Sequence, residues 1–340
     1  MALLVFGIIV LLVAVGLFAA WERMIHMPGE SFHGELPPLE NPQVELRASL
    51  EADVEHLATA IGERNLAHYP QLLEAADYLE GRLREFGYKV QRQTFKVNGT
   101  DCDNLEVEIK GQKSPDEIVI VGAHYDTAPG TPGANDNASG MAALLAIAER
   151  MRDARPACTL RFVAFTNEEP PYFQTPDMGS WVYARRCRQR GENIVAALSL
   201  ETIGYYRDEP GSQVYPPPLS AFYPSEGDFI AVVGNVGSRP LVHRVVDVFR
   251  RHAKFPSEGG AVPGDISGVG WSDHWSFWQE GYQGVMITDT APFRYPYYHR
   301  PQDTPDKLEF DRMTRVVEGL IPVVADLAGV ESLTTRDGNR

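Results

Sequence analysis

Acidic and histidine side chains follow the ends of several short apolar runs in this sequence of 340 residues. They are His124, Asp126, Asp136, Glu168, Glu169, Glu201 and His299. Because the carboxyl ends of parallel strands meet at one edge of an α/β sheet, we expect these side chains to lie together. Carboxylates that gather in a partly dry cleft repel one another strongly, and a bound divalent cation resolves this conflict.

The mixture of imidazoles and carboxylates suits zinc, with manganese or cobalt as substitutes. Five ligands, one of them shared, are enough for two ions about 3.5–4 Å apart, each with an open position. Taken singly, Asp136 reads as a helix N-cap and Glu168-Glu169 as a solvated pair. Glu201 is harder to explain in this way, because burying it unpaired at the end of an apolar strand is costly. The joint pattern therefore predicts a metal centre.

The predicted elements that must position this cluster alternate between strand and helix. Two helices (residues 45–61 and 71–86) come first, and a hairpin with Asn98-Gly99 at its turn follows them. Apolar strands and helices then alternate up to residue 327. This order predicts an α/β fold with a mixed, mostly parallel central sheet and helices on both faces. We expect the proline-rich, aromatic insert at residues 208–227 to form a loop over the functional edge.

The chain is predicted to divide into four parts. Residues 1–21 include a long uncharged run that spans a bilayer as a helix, which favours a transmembrane anchor over a cleaved signal peptide. Residues 22–42 contain four prolines and read as a linker, residues 43–330 form the main domain, and residues 331–340 are a polar tail. We therefore expect a membrane-anchored domain outside the cytoplasm, periplasmic or extracellular, or a secreted one if the first segment is cleaved.

Charge and the remaining motifs exclude several other classes of protein. The chain has 31 basic and 46 acidic residues, a formal net charge of −15, which argues against a nucleic-acid partner. It contains neither a GxSxG elbow nor a P-loop. The three cysteines Cys102, Cys158 and Cys187 form no CxxC pair, and their disulfide status stays open.

Four segments resemble the metal motifs of metallopeptidase family twenty-eight, which includes bacterial leucine aminopeptidases, glutamate carboxypeptidases and glutaminyl cyclases. The segments are residues 122–126, 135–140, 167–169 and 298–304. The resemblance covers about residues 45–330 on our reading of one domain by length. It implies the zinc aminopeptidase-type α/β fold with two zinc ions.

The resemblance also implies which residues hold the metals. Asp136 would bridge both ions. His124 and Glu201 would complete the site of one zinc ion, and Glu169 and His299 that of the other. The family often has Asp where this chain has Glu201, and the longer side chain should still reach the ion.

Two more roles follow from the resemblance. Glu168 would be the general base, and Asp126 would orient the imidazole of His124. Residues 272–274 match a recurrent segment near the family's cleft, and residues 170–178 form a longer stretch than in common members.

The function that follows is a zinc-dependent exopeptidase acting on peptides. We expect an aminopeptidase that removes N-terminal residues, using water activated between two zinc ions and Glu168 as the base. Carboxypeptidase or glutaminyl cyclase activity on the same fold stays open, as does a non-catalytic membrane-anchored ectodomain.

Overall fold

The computed structural model describes residues 6, 11, 15, 16 and 18–331. Its strands are β1 (Gln91–Val97), β2 (Thr100–Ile109), β3 (Ser114–His124), β4 (Cys158–Phe165), β5 (Asn193–Glu201), β6 (Ile230–Gly234), β7 (Ser257–Ala261) and β8 (Gly284–Thr288). They form one sheet in the order β1-β2-β4-β3-β5-β8-β6-β7. Strands β4, β3, β5 and β8 run parallel at its centre, so their carboxyl ends share one edge.

The flanks of the sheet are partly antiparallel. β1 and β2 form the predicted hairpin, in which Asn98 and Gly99 both have positive φ, at 51° and 85°. That geometry matches the right-handed twist of a hairpin, which explains the Asn-Gly pair. β2 is antiparallel to β4, and β6 is antiparallel to β8. The predicted mixed α/β sheet is therefore confirmed.

Helices cover both faces of this sheet. They are α1 (Asn41–Glu55), α2 (Tyr69–Glu85), α3 (Gly140–Met151), α4 (Gly179–Gln189), α5 (Arg239–His252), α6 (His274–Gln279) and α7 (Phe310–Ala328). α4 and α6 pack together on one face, and the other five lie on the opposite face. α3 is apolar on all sides because it packs against α1, α7 and the sheet.

The central strand β3 shows why the sheet is covered twice. Its apolar residues alternate between the two cores: Val119 and Val121 join the larger one, and Ile118 and Ile120 join the smaller one. A strand buried on both faces reads as a continuous apolar run. The run also fixes where the strand ends, which places His124 at the sheet edge.

Two elements were not predicted from the sequence. β7 has the sequence Ser-Glu-Gly-Gly-Ala, which carries no apolar run because the strand lies at the edge of the sheet. α6 spans only six residues, too few for helical periodicity to show. Both missed elements lie close to the predicted functional edge.

The N-terminal region is described only in part. Among the described residues, no helix is long and apolar enough to cross a membrane. The predicted anchor of residues 1–21 lies mostly outside the described residues, so the anchor and its location stay predictions. The segment predicted as a linker packs on the domain: Met27 is buried against Gly259, and Arg250 donates to the carbonyls of Pro28 and Gly29.

Replacing Gly179 by alanine is expected to destabilise the fold. An added Cβ would collide with the backbone carbonyl of Thr166 and the side chain of Asn104, where α4 meets the sheet. We expect Gly179→Ala to lower the free energy of unfolding by about 1–3 kcal/mol in urea titrations. The control is Gly81→Ala, since Gly81 lies in α2 with open space around its Cβ position. In this control the free energy of unfolding should rise by about 0.5–1 kcal/mol. Equal stability of the two variants would contradict the close packing around Gly179.

Candidate metal centre

The carboxylate of Asp136 lies between two imidazoles. Its Oδ1 is 3.3 Å from Nε2 of His124, and its Oδ2 is 3.1 Å from Nε2 of His299. Glu201 Oε2 lies 3.2 Å from the same His124 nitrogen, and Glu169 Oε2 lies 3.1 Å from the His299 nitrogen. The structure thus brings together two sets of three side chains that share Asp136.

The strand ends supply most of these groups. His124 and Glu201 are the last residues of β3 and β5, and Glu169 follows β4. Asp136 lies in the irregular helical turn Ala134–Ser139 that precedes α3. His299 comes from the loop after β8. The side chains of His124, Asp136, Glu169 and Glu201 are almost completely buried, whereas that of His299 is 31% exposed, so the site opens on the His299 side.

Strained backbone accompanies the site. Asn167, Thr202 and His299 have positive φ values of 56°, 45° and 55°. Non-glycine residues adopt this region at a cost, which the surrounding contacts must offset. Asn167 directly precedes Glu168, and Thr202 directly follows Glu201. The strain therefore falls where the chain turns to present its carboxylates.

Asp126 positions three neighbours at once. Its carboxylate accepts hydrogen bonds from the backbone amides of Glu168 and Glu169, each at 3.1 Å. Nδ1 of His124 donates to the backbone carbonyl of Asp126 at 3.2 Å, which leaves Nε2 free to face the centre. The carboxylate Oδ1 lies farther from Nδ1, at 3.5 Å. Asp126 therefore orients His124 through its backbone and uses its side chain to hold the two glutamates.

Asp303 has the same function on the other side of the site. Its carboxylate accepts from the backbone amides of Asn135 at 2.8 Å and Asp136 at 3.1 Å. The hydroxyl of Tyr295 donates to it at 2.7 Å. We gave this residue no role from sequence, although it lies in the same motif segment as His299. Its acidic side chain was the only signal in the sequence, because Asp303 does not follow an apolar run that would mark the end of a strand.

Arg64 was also missed. It is fully buried and donates to the backbone carbonyls of Tyr125 at 2.6 Å, Pro132 at 2.7 Å and Gly133 at 3.0 Å. Burial lowers the pKa of this guanidinium to about 10, opposed by the nearby charge of Asp126 and other acids of the site. Arg64 is therefore a cation at neutral pH, and it holds the loop between His124 and Asp136.

Residues 272–274 place a hydroxyl donor, Ser272, and a buried carboxylate, Asp273, beside the site. Ser272 Oγ donates to Glu201 Oε2 at 2.7 Å, which fixes that carboxylate. Both carboxylate oxygens of Asp273 are buried with no hydrogen-bond partner in the described part of the chain. Burial raises the pKa of Asp273 to about 7, opposed by the charge of His124. His274 donates instead to the carbonyl of Val269 at 2.8 Å.

The donor atoms at the centre fit a metal. Across residues 18–331, the buried side-chain atoms without a hydrogen-bond partner include Nε2 of His124, Nε2 of His299, both oxygens of Asp136 and Oε1 of Glu169. Ligand atoms of His124, Asp136 and Glu169 lie within 4.8 Å of one another. Buried polar atoms rarely stay unpaired, and imidazole nitrogen with carboxylate oxygen is a donor set that zinc prefers.

Without a cation, the same groups must share protons. Burial raises the pKa of Glu169 to about 8, with the charge of Asp136 adding to the effect and His299 opposing it. Burial lowers the pKa of His299, but Asp136 and Glu169 outweigh it and raise that pKa to about 10. Burial also raises the pKa of Glu168 well above its ordinary value. The raised pKa values of both glutamates and of His299 indicate that this buried cluster has too little positive charge for its carboxylates.

The profile of Peptidase family M28 matches residues 104–324, which contain every residue of the two sets. The chain belongs to this peptidase family. The Escherichia coli K12 protein YfbL is 36% identical over 284 residues, which cover 81% of this chain and 86% of YfbL.

Solved structures share the fold. The zinc aminopeptidase BSAP from Bacillus subtilis has a TM-score of 0.64 at 15% identity, covering 86% of this chain and 96% of that one. Fimbriiglobus ruber glutaminyl cyclase has a TM-score of 0.62 at 22% identity, covering 88% and 99%. The architecture is therefore that of the aminopeptidase fold.

The metal-free protein is expected to become less stable as pH rises from about 5 to 8. Glu169 keeps a proton in the folded state up to a pKa of about 8, whereas its ordinary value is 4.5. Unfolding releases this proton between those values, so rising pH favours the unfolded state. His299, raised from 6.5 to about 10, acts in the same direction above pH 6.5.

Urea titrations at pH 5.5 and pH 8, with EDTA or with zinc, test this. Each zinc ion bound at a hundredfold excess over its dissociation constant should add about 2.7 kcal/mol, and bound zinc should reduce the pH dependence. If the metal-free protein is equally or more stable at pH 8, the buried groups do not carry the charge imbalance described here.

Proposed function

We propose that this chain is a zinc-dependent aminopeptidase that removes N-terminal residues from peptides. The observation that carries the proposal is the carboxylate of Asp136 between two complete sets of ligands. The chain's membership of Peptidase family M28 supports a peptidase, and the fold that it shares with a zinc aminopeptidase supports the exopeptidase class.

The ligands divide into two groups around Asp136. His124 and Glu201 would hold one zinc ion together with Asp136, and Glu169 and His299 would hold the other. When bound, zinc polarises a carbonyl oxygen and lowers the pKa of water. The groups that fix these side chains belong to the chain itself: the carbonyl and carboxylate of Asp126, the carboxylate of Asp303 and the hydroxyl of Ser272.

Glu168 is the proposed general base. Its carboxylate is buried, and its Oε2 lies 3.9 Å from Nε2 of His124, beside the two sets. Burial raises the pKa of Glu168, which makes its carboxylate a stronger base than a solvated glutamate. Glu168 accepts the proton that the attacking water loses and returns it to the nitrogen of the leaving amine. The carboxylate of Asp126 keeps this glutamate in place by accepting a hydrogen bond from the backbone amide of Glu168.

Glutaminyl cyclase activity is the second candidate, because the fold is shared to a similar degree with a glutaminyl cyclase. Incubating the zinc-loaded full-length protein with free, N-acetylated and N-terminal-Gln peptides separates the two by mass spectrometry. Loss of N-terminal residues from the free peptides alone supports the aminopeptidase. Loss of ammonia from the Gln peptides supports the cyclase, and loss of C-terminal residues supports a carboxypeptidase. Unchanged peptides, with zinc bound, would reject all three.

Glu168→Gln is expected to lower kcat about 10²–10⁴-fold while the protein still binds zinc, because the amide cannot accept the proton. Zinc content by atomic absorption and peptide hydrolysis by mass spectrometry measure the two effects separately. Glu74→Gln is the matched control, since Glu74 lies exposed on α2. Near-normal hydrolysis by Glu168→Gln would show that another group is the base.

A further inference from the structure

A cavity of about 100 Å³ adjoins the metal centre. Glu201 and Tyr298 are among its lining residues, and residues of β6, β7 and β8 line it along the sheet, which we call its floor. The insert at residues 208–227 forms part of its roof with Tyr215 and Tyr223. The predicted loop over the functional edge is thus observed, and it encloses space beside the ligands.

The floor of this cavity is a single row of register partners. Glu201 of β5 pairs with Thr288 of β8, Thr288 pairs with Ala231 of β6, and Ala231 pairs with Glu258 of β7. Register partners lie on the same face of a sheet, and all four residues line the cavity. With neighbouring strands about 4.8 Å apart, the Cα atoms of the two glutamates are about 14 Å apart. The floor therefore has a carboxylate at each end, and the two residues between them, Thr288 and Ala231, are uncharged.

Glu258 lacks a strong partner of its own. Across residues 18–331, no hydrogen-bond donor reaches its carboxylate, and the closest guanidinium nitrogen, Nη2 of Arg250, lies 3.8 Å away. Arg250 donates instead to the carbonyl of Ser257 at 2.8 Å and to the carbonyls of Pro28 and Gly29 at 3.1 Å. Burial raises the pKa of Glu258, and Arg250 opposes this only in part. The side chain stays 25% exposed, so an incoming cation can reach it.

The roof is suited to an aliphatic stem. The rings of Tyr215 and Tyr223 stack with centroids 5.6 Å apart. Their hydroxyl groups donate to the carbonyls of Pro224 at 2.7 Å and Gly259 at 2.8 Å. With these donors occupied, the rings offer apolar faces to a bound chain, and aromatic faces also attract cations.

We propose that this cavity receives the side chain of the substrate's N-terminal residue and that Glu258 selects long, positively charged side chains, those of lysine and arginine. The proposal rests on the aminopeptidase function proposed above. The methylene stem would lie between the Ala231 floor and the Tyr215 and Tyr223 rings. The ammonium or guanidinium group would reach Glu258, where partial burial strengthens the ion pair.

Aminoacyl amides of 7-amino-4-methylcoumarin test this with the zinc-loaded full-length protein. Norleucine is the matched substrate for lysine, because it has the same straight carbon chain without the ammonium group. We expect the wild-type kcat/KM for lysine and arginine to exceed that for norleucine. Glu258→Gln should lower the lysine-to-norleucine ratio about tenfold while norleucine hydrolysis stays near the wild-type rate.

Glu226→Gln is the control variant, since Glu226 belongs to the insert that roofs the cavity but does not line it, and the lysine-to-norleucine ratio of this variant should not change. A wild-type protein that prefers norleucine, or a ratio that Glu258→Gln leaves unchanged, would overturn the specificity proposal alone. Absence of hydrolysis for every amide, with zinc bound, would instead reject the aminopeptidase function. The wild-type ratio needs no variant, so the proposal stays testable even if Glu258→Gln fails to fold.

Discussion

Buried negative charge at the carboxyl edge of the sheet is the constraint on which this structure depends. Asp136, Glu168 and Glu201 each bring a carboxylate oxygen within 4 Å of one imidazole nitrogen of His124, in a region that water scarcely reaches. Desolvated carboxylates at such separations are costly unless positive charge or hydrogen-bond donors face them. The two imidazoles do not provide a hydrogen bond for every carboxylate oxygen of the cluster. A bound metal cation would offset the remaining negative charge.

The fold meets this constraint with backbone amides and one buried cation. Asp126 and Asp303 each bind two consecutive amides, and each pair of amides carries a residue of the site. Arg64 holds the intervening loop by its carbonyls, so the loop is fixed without any hydrogen bond to a metal ligand. The positions of the proposed ligands are therefore set by groups outside the two sets of side chains, and such outer groups tune metal affinity strongly.

The sequence was informative where strand ends and function coincide. His124 and Glu201 end apolar runs that are buried on both faces, so the boundary of each run located the side chain at the sheet edge. Asp303 and Arg64 lie in loops, where no periodicity marks a position, and their importance comes from backbone atoms that pattern analysis does not see. β7 was missed for a related reason: an edge strand with two glycines buries little apolar surface of its own. The features that could not be predicted depend mostly on the path of the backbone between helices and strands.

Chemistry and selectivity use different parts of the same sheet. The proposed ligands come from the ends of β3 and β5 and from adjoining loops, including the one after β4, where parallel strands packed on both faces give a rigid frame. The cavity floor continues from Glu201 onto β8, β6 and β7, ending at an edge strand whose Glu258 touches neither metal set. The insert that covers it begins and ends at a β-bridge between Arg207 and Gly227, and it also bonds to the domain through Val214 and Tyr223. Because the edge strand and the insert share no hydrogen bonds with the ligand set, their side chains can change the preferred substrate while the buried charges stay balanced.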